Sequence, residues 1–134
     1  MEEALQTPAS TRKWTLLVVE DETLIRSMVS DYLRDADFTV IEAKNADEAI
    51  TVISSSTPVD LVFTDVDMPG DMDGLMLASW IHRYDPNVPV IVTSGVAELR
   101  DDYLGMRVLQ KPYSPRVLER KIRELLGASA LTPR

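Results

Sequence analysis

The stretch Leu61-Val-Phe-Thr-Asp65 decides the fold, because it joins a short, solidly apolar run to an acid. Apolar runs of similar length recur along the chain, separated by longer amphipathic stretches. This alternation is typical of strands that are covered on both faces of a parallel sheet. We therefore predict five strands, at Thr15–Val19, Thr39–Ala43, Leu61–Thr64, Val90–Thr93 and Met106–Gln110. The second and fifth carry Glu42 and Arg107, so we expect them to be the more exposed strands.

The stretches between these runs have the spacing of amphipathic helices. Apolar residues three and four apart predict helices at Thr23–Asp35, Ala46–Ser54, Leu75–Tyr84 and Pro115–Leu126. The stretch Val96–Leu104 has few apolar residues, so it predicts a short or irregular helix. Strand and helix alternate through one small chain, which predicts a doubly wound α/β fold with a parallel sheet and right-handed crossovers.

The helix patterns also predict which apolar side chains are buried. In Thr23–Asp35, the apolar stripe includes Leu24 and Met28, and we expect this stripe to pack on the sheet. In the third helix, we interpret Met76 and Trp80 as packing residues.

Length, charge and composition exclude several classes of protein. The 134 residues are 45% hydrophobic and 27% charged, which suits a single domain over residues 14–127 with flexible ends at 1–13 and 128–134. No cysteine and one histidine, His82, exclude disulfides, thiolate chemistry and histidine-rich metal sites. The net charge of −8 argues against nucleic-acid binding. No apolar run approaches the about 20 residues of a membrane span, and the acidic start is unlike a signal peptide, so we expect a cytoplasmic protein.

Chemically active side chains stand where the predicted central strands end. Glu20 and Asp21 follow the first strand, Asp65 the third and Lys111 the fifth, while Thr93 closes the fourth. In a doubly wound sheet the carboxyl ends of the strands form the ligand crevice, so these side chains should converge. Converging acids favour a hard cation, Mg²⁺ first. A cation, a lysine and a hydroxyl around one carboxylate suit a phosphoryl group, and Asp65 is the candidate to accept it as an acyl phosphate.

The motifs, taken together, resemble the receiver domain of two-component response regulators. They are Leu17-Val-Val-Glu-Asp-Glu22, Asp65-Val-Asp-Met-Pro69, Val92-Thr-Ser-Gly95 and Lys111-Pro-Tyr113, in a match that covers about Trp14 to Leu126. The resemblance implies a flavodoxin-like sheet with strand order 2-1-3-4-5.

The resemblance also implies a role for each site residue. Asp65 would be the phosphoacceptor, and Glu20 and Asp21 would hold Mg²⁺ together with the backbone carbonyl of Asp67. Thr93 would be the switch hydroxyl that moves toward the phosphoryl group. Lys111 would form a salt bridge to that group and would be followed by a cis peptide bond.

The chain departs from the common receiver pattern in four places. Glu20 stands where Asp is commoner, and the loop from Pro69 to Asp73 is one residue longer than usual. The stretch from Thr93 to Lys111 is several residues shorter, and Val108 replaces the usual aromatic residue. The last two departures lie on the family's usual output face, so we expect the phosphorylation chemistry to be kept more closely than the usual output mechanism.

Asp67 is a further unusual residue, because its carboxylate lies two positions after Asp65. It could repel the phosphodonor, engage the metal or face solvent. Our hypothesis is that Asp67 changes the rate at which the acyl phosphate is lost.

The receiver interpretation predicts a small set of partners. A sensor histidine kinase or a histidine phosphotransfer protein would supply the phosphoryl group, and a downstream protein would read the changed surface. A homodimer is possible, and membrane and nucleic-acid partners are not expected. The residues favour a stand-alone receiver without an output domain, although a piece of a larger protein, such as a hybrid kinase, remains an alternative.

Three other functions compete with this one. Asp65-Val-Asp67 also resembles the opening motif of haloacid dehalogenase-type phosphatases, which depend on Mg²⁺, but the strand Thr15–Val19 and its acids would then go unexplained. A magnesium-dependent enzyme of the topoisomerase–primase type is disfavoured by the net charge. A receiver-like interaction module without phosphorylation is disfavoured by the intact set of acids, threonine and lysine.

Overall fold

The chain folds as a five-stranded parallel sheet with helices on both faces. The computed structural model describes residues 13–95 and 106–129. The strands are β1 (Thr15–Val19), β2 (Thr39–Ala43), β3 (Leu61–Asp65), β4 (Val90–Ser94) and β5 (Arg107–Gln110). Their order across the sheet is β2-β1-β3-β4-β5, and every neighbouring pair is parallel. This confirms the predicted doubly wound α/β fold, with β2 and β5 at the edges.

Four helices of the described residues connect and cover these strands. They are α1 (Thr23–Asp35), α2 (Ala46–Ser54), α3 (Gly74–Tyr84) and α4 (Pro115–Ser129). The helix predicted at Val96–Leu104 lies outside the described residues. Within those that are described, none of the helices is long and apolar enough to cross a membrane.

The predicted boundaries differ from the structure at a few positions. β3 and β4 each run one residue further, because Asp65 pairs with Thr93 and Ser94 with Gln110 in the ladder. β5 begins at Arg107 rather than at Met106. α4 continues through Gly127 to Ser129, so this glycine does not end the helix.

Side chains on the two faces of the sheet form two apolar clusters. Alternation along each strand sends Leu17 and Val62 toward α2 and α3, and Leu16 and Leu61 toward α1 and α4. All four of these side chains have no exposed surface. The central strands are therefore buried on both faces, which is the reason for their unbroken apolar sequences.

The prediction for the apolar stripe of α1 was wrong in part. Val29 and Leu33 are buried, but Leu24 is 84% and Met28 62% exposed. Neighbouring residues on a helix are about 100° apart, so Met28 lies about 100° and Leu24 about 140° around the helix from Val29. Both side chains therefore face solvent beside the carboxyl end of the sheet.

Candidate functional site

Three acids meet at the carboxyl ends of β1 and β3. Glu20 and Asp21 follow β1, and Asp65 is the last residue of β3, the neighbouring strand. One carboxylate oxygen from each of the three lies within 4.8 Å of the others. Glu20 is 5% and Asp65 6% exposed. The structure therefore brings together acids that are 45 positions apart in the chain, as the convergence of parallel strands predicts.

Asp65 has two donors to its carboxylate. The Lys111 Nζ lies 2.9 Å from Oδ2 and 3.1 Å from Oδ1 of Asp65. The backbone N–H of Asp67 donates to Oδ1 at 3.0 Å. Lys111 follows β5, and its peptide bond to Pro112 is cis, as the resemblance implies. These contacts hold the Asp65 carboxylate in one orientation at the carboxyl end of β3.

The charges of the site change the pKa of its two main partners. Burial, together with the nearby carboxylates of Asp65 and Asp21, raises the pKa of Glu20 to about 7. Burial alone would lower the pKa of Lys111, but the hydrogen bond and charge of Asp65, with Glu20 and Asp67 behind it, outweigh this and raise it. The lysine is therefore a fixed cation, and the acidic cluster holds more negative charge than this lysine balances.

The three carboxylates fit a divalent cation. They offer only oxygen ligands, which hard cations prefer, and the charges of Asp65 and Asp21 add to burial in raising the pKa of Glu20. Within the cluster, Glu20 Oε2 accepts a hydrogen bond from the backbone N–H of Glu22 at 3.0 Å. Glu22 is at the N-cap of α1 but makes no side-chain cap hydrogen bond in the described structure. The cluster could therefore hold a metal ion, which would join the acids instead of leaving them to repel one another.

Thr93 has its hydroxyl directed to another strand. It is the ladder neighbour of Asp65 and is 1% exposed. Its Oγ1 donates to the backbone carbonyl of Leu109 in β5 at 2.9 Å. A hydroxyl has one proton to donate, so Thr93 can donate to a group on Asp65 only after this hydrogen bond breaks.

Asp67 contributes its backbone N–H to the site while its side chain is exposed. The carboxylate is close enough for its charge to act on Lys111.

The first residue of α3 lies directly against Asp65. A Cβ built on Gly74 would lie 2.0 Å from the backbone oxygen of Asp65 and 2.8 Å from its carbonyl carbon. The Gly74 N–H donates to the carbonyl of Val66 at 3.0 Å. Only glycine allows this approach, so Gly74 positions the backbone that carries Asp65. In the sequence, Gly74 lies nine residues after Asp65 and just before the predicted helix Leu75–Tyr84, and this position was the available signal for its role.

Arg26 is a second residue whose role the sequence did not indicate. Its Nη1 donates to the backbone carbonyl of Glu20 at 2.8 Å, and its Nε donates to Glu42 at 3.1 Å. Glu42 also pairs with Arg34 at 3.1 Å. The available signal in the sequence was the opposite charge of the arginines in α1 and of Glu42 in the edge strand β2. The network holds the backbone where the acidic pair begins.

A partly apolar cavity adjoins the site on the α1 side. It has a volume of about 490 Å³, and its lining includes Glu20, Ile25, Met28, Lys111 and Tyr113. Tyr113 packs edge-on against Phe63, with ring centroids 5.7 Å apart. Burial, and after it the charges of Glu20 and Asp65, raises the pKa of Tyr113 to about 12. Tyr113 therefore stays neutral and closes this side of the acidic cluster.

Comparison with known proteins points to one family. Residues 16–123 match the family model of the response regulator receiver domain. The chain is 31% identical over 116 residues to the transcriptional regulatory protein BaeR of Escherichia coli O6:H1, covering 83% of this chain and 47% of that protein. It therefore spans about half the length of that curated relative.

Solved structures give the same result. The CheY-like receiver domain protein of Methanospirillum hungatei JF-1 superposes with a TM-score of 0.80 at 28% identity, covering 87% of this chain and 96% of that one. The response regulator TrrA of Thermotoga maritima, solved in complex with Mg²⁺ and BeF, superposes with a TM-score of 0.73 at 27% identity, covering 84% and 98%.

Proposed function

This chain belongs to the response regulator receiver domain family, and we propose that Asp65 is the residue that takes up its phosphoryl group. Membership makes it a signalling domain of a two-component system rather than a catalytic enzyme. The comparisons give no support to the phosphatase alternative. The observation that carries the assignment to Asp65 is its buried carboxylate, which contacts Lys111 and lies within 4.8 Å of Glu20 and Asp21 oxygens.

The reaction is the transfer of a phosphoryl group from a phosphohistidine. A carboxylate oxygen of Asp65 forms the bond to phosphorus while the phosphorus–nitrogen bond breaks, and the imidazole leaves with the electron pair. The product is an acyl phosphate. Lys111 stays within reach of the charge that develops on the phosphoryl oxygens, and burial of Asp65 limits attack by water.

Glu20, Asp21 and Asp65 are the residues that would hold Mg²⁺, with the backbone carbonyl of Asp67 as a further ligand. When bound, the ion would neutralise the negative charge that gathers where the phosphoryl group enters. The oxygen-only cluster and the raised pKa of Glu20 support this part of the proposal.

Thr93 is proposed as the switch residue. Its hydrogen bond to Leu109 joins β4 to β5 in the unphosphorylated protein. A phosphoryl group on Asp65 brings a strong acceptor next to β4, so the hydroxyl would exchange the carbonyl of Leu109 for a phosphoryl oxygen. Val108, beside Leu109, is 8% exposed and lacks an aromatic ring that could move with Thr93. The change of acceptor by the Thr93 hydroxyl would therefore alter the contact between β4 and β5.

Asp67 is proposed to set how long the acyl phosphate survives. Its backbone N–H donates to Asp65, and its exposed carboxylate is close enough for its charge to act on Lys111. The Asp67→Asn variant keeps the backbone contact and removes the charge. Equal lifetimes of the phosphorylated wild type and of this variant, measured by the loss of the adduct, would overturn this role.

The proposed donor is a histidine kinase or a histidine phosphotransfer protein. Exposed Met28 lines the 490 Å³ cavity together with Ile25 and Lys111, and Lys111 contacts Asp65, so this partly apolar surface adjoins the phosphoacceptor. We expect Met28→Ser to slow transfer from a protein donor and to leave transfer from acetyl phosphate unchanged. Met76→Ser on α3, where the side chain is 50% exposed, is the matched control and should change neither rate.

The experiment that tests the phosphoacceptor uses the two acids that flank β3. The protein is incubated with Mg²⁺ and acetyl phosphate, and its intact mass is recorded. We expect one phosphoryl adduct in the wild type, the same adduct in Asp60→Asn and none in Asp65→Asn. Omission of Mg²⁺ should remove the adduct as well.

Two results would overturn the proposal. An adduct of equal yield in Asp65→Asn would place the phosphoryl group elsewhere. Steady release of inorganic phosphate by the wild type, without an adduct, would favour the phosphatase alternative.

The signal is proposed to leave the domain through a protein partner that binds the phosphorylated surface differently from the unphosphorylated one. Dimerisation of the domain is one form that this binding could take.

A further inference from the structure

An apolar stripe runs along the exposed side of α3. Met76, Trp80 and Tyr84 are four residues apart and therefore share one side of the helix. Met76 is 50% and Tyr84 54% exposed, and Trp80 is half-buried against the core. The packing role expected for Met76 was therefore wrong. These three residues are called the α3 stripe below.

Two of the three side chains in the stripe are in direct contact. The rings of Trp80 and Tyr84 are stacked, with centroids 4.8 Å apart and planes 10° apart. Tyr84 also lines a cleft of about 340 Å³ whose other walls include Ile53, Pro58 and Val88. Three side chains spaced over eight residues span about 12 Å along the helix, which is the length of two turns of a partner helix.

The chemistry of the stripe is that of an interface. Trp, Tyr and Met are enriched where proteins bind one another, and large aromatic side chains provide most of the binding energy. Stacking already fixes the two rings, so little side-chain freedom is lost when a partner covers them. Continuous exposed apolar surface of this kind marks a binding site more often than an isolated exposed residue does.

Acidic residues border the stripe at one end. Asp71 and Asp73 immediately precede α3, and Asp73 caps it through the N–H of Met76. Asp47, at the start of α2, lines the same small cavity as Asp71. Asp47 and Asp71 are exposed. With a net charge of −8, the protein attracts cationic partners to this end and repels acidic ones, a second copy of itself included.

We infer that the α3 stripe docks an amphipathic helix of a partner protein, with its apolar side on Met76, Trp80 and Tyr84 and basic residues at the end next to Asp47 and Asp71. This is the helix-in-groove mode of recognition. The stripe is on the opposite face of the sheet from α1 and α4, so the helix and a phosphodonor at the α1 cavity can bind together. The inference does not depend on the phosphorylation proposal.

The test uses a defined probe, a fluorescein-labelled peptide of about 14 residues built from Leu on one side and Lys on the other. Its binding to the full chain is followed by fluorescence anisotropy and by amide chemical shifts. We expect shifts in α3 and at the cleft, and affinity at least about tenfold lower for Tyr84→Ser. Tyr84→Phe, which keeps the stacked ring, should bind like the wild type. Asp47→Asn with Asp71→Asn should reduce the salt dependence of binding.

Controls separate this surface from the other exposed apolar patch. Leu24→Ser on α1 should leave peptide binding unchanged, and circular dichroism should show that every variant is folded. The inference is overturned if Tyr84→Ser binds the peptide as tightly as the wild type, if Leu24→Ser removes binding, or if a matched Leu–Glu peptide binds equally well. It is also overturned if sedimentation shows a wild-type dimer that Tyr84→Ser abolishes, because the stripe would then bind a second copy.

Discussion

Two buried aspartates lie at opposite ends of β3, and they have different hydrogen-bond partners. Asp60 precedes the strand and is 2% exposed; Asp65 ends it and is 6% exposed. The Asp60 carboxylate accepts a hydrogen bond from the backbone N–H of Thr15 at 2.8 Å, and its own N–H donates to the carbonyl of Thr15. The Asp65 carboxylate instead contacts Lys111 and lies among other acids.

The difference shows that the end of the strand decides the role of the acid. At the amino end of the sheet, backbone N–H groups are available, so a carboxylate there is paired and structural. At the carboxyl end, two further acids lie beside Asp65, and burial together with the charges of Asp65 and Asp21 raises the pKa of Glu20. Stability is therefore expected to depend on Asp60, and chemistry on Asp65. The following predictions test that division.

The largest effect is expected from Gly74→Ala at the site end. The new Cβ would lie 2.0 Å from the Asp65 carbonyl oxygen, so the backbone of Asp65 or of α3 must move. We expect phosphorylation by acetyl phosphate to slow at least about tenfold and the free energy of unfolding to fall by about 1–3 kcal/mol. The measurements are the rate of adduct formation by mass spectrometry and urea denaturation.

Gly127→Ala in α4 is its control. No atom of the described residues lies within 4 Å of a Cβ at this position. Alanine should leave the phosphorylation rate unchanged and should raise stability by up to about 1 kcal/mol through helix propensity. Equal phosphorylation rates in both glycine variants would contradict the role given to Gly74.

Asp60→Ala should separate stability from chemistry at the other end of β3. The partly buried N–H of Thr15 would lose its acceptor, which we expect to lower the free energy of unfolding by about 1–3 kcal/mol. The yield of the phosphoryl adduct should stay at the wild-type level below the unfolding transition. Exposed Asp31→Ala should cost less than about 0.5 kcal/mol. A lost adduct in folded Asp60→Ala would remove the distinction between the two ends.

Glu20→Gln should reveal the uncompensated charge at the site end through its pH dependence. The pKa of Glu20 is raised from 4.5 to about 7 by burial and by neighbouring acids. Between these values the folded chain holds a proton that the unfolded chain has released, so stability of the metal-free protein decreases as the pH rises. The gain from Glu20→Gln should grow by about 1–2 kcal/mol from about pH 5 to about pH 8.

This gain is measured by urea denaturation with a chelator present. Exposed Glu124→Gln should show no such growth. If the difference between wild type and Glu20→Gln stays constant with pH, Glu20 does not carry the repulsion. Added Mg²⁺ should reverse the advantage, since it stabilises the ionised carboxylate.

The smallest effect is expected at Ser30, away from both ends of β3. Ser30 is fully buried in α1, and its Oγ has no hydrogen-bond partner among the described residues. Ser30→Ala should stabilise the protein by about 1 kcal/mol and leave phosphorylation unchanged. Ser54→Ala, at an exposed helical position, measures the propensity gain alone, about 0.5 kcal/mol. A gain no larger than that of Ser54→Ala would mean that water reaches the hydroxyl.

Much of the site was predictable because strand ends are visible in the sequence. The apolar runs before Glu20, Asp65 and Lys111 predict that these three residues lie at the carboxyl ends of parallel strands in one sheet. The structure places them together. Gly74 and Arg26 were not predictable in the same way. Their contacts with Asp65 and Glu20 depend on where two helices begin to pack, which periodicity does not specify.

Exposure of helix residues was the least predictable feature. Leu24, Met28 and Met76 fit an apolar period, yet all three are at least half exposed. The apolar period identifies which side of a helix faces the sheet. It does not show how far the sheet extends beneath that side. Thr93 shows the same limit for polar groups, since its hydroxyl donates to Leu109 across the neighbouring strand.

The sequence by itself determined the alternation of strands and helices, the central position of β1, β3 and β4, and the convergence of acids and lysine, because these follow from local apolar patterns and from the geometry of parallel sheets. Only the tertiary structure decided which hydrogen-bond donors contact each carboxylate, which glycine has no room for a side chain and which apolar side chains remain exposed. Those features depend on distances between segments far apart in the chain, and the packing of whole elements sets such distances.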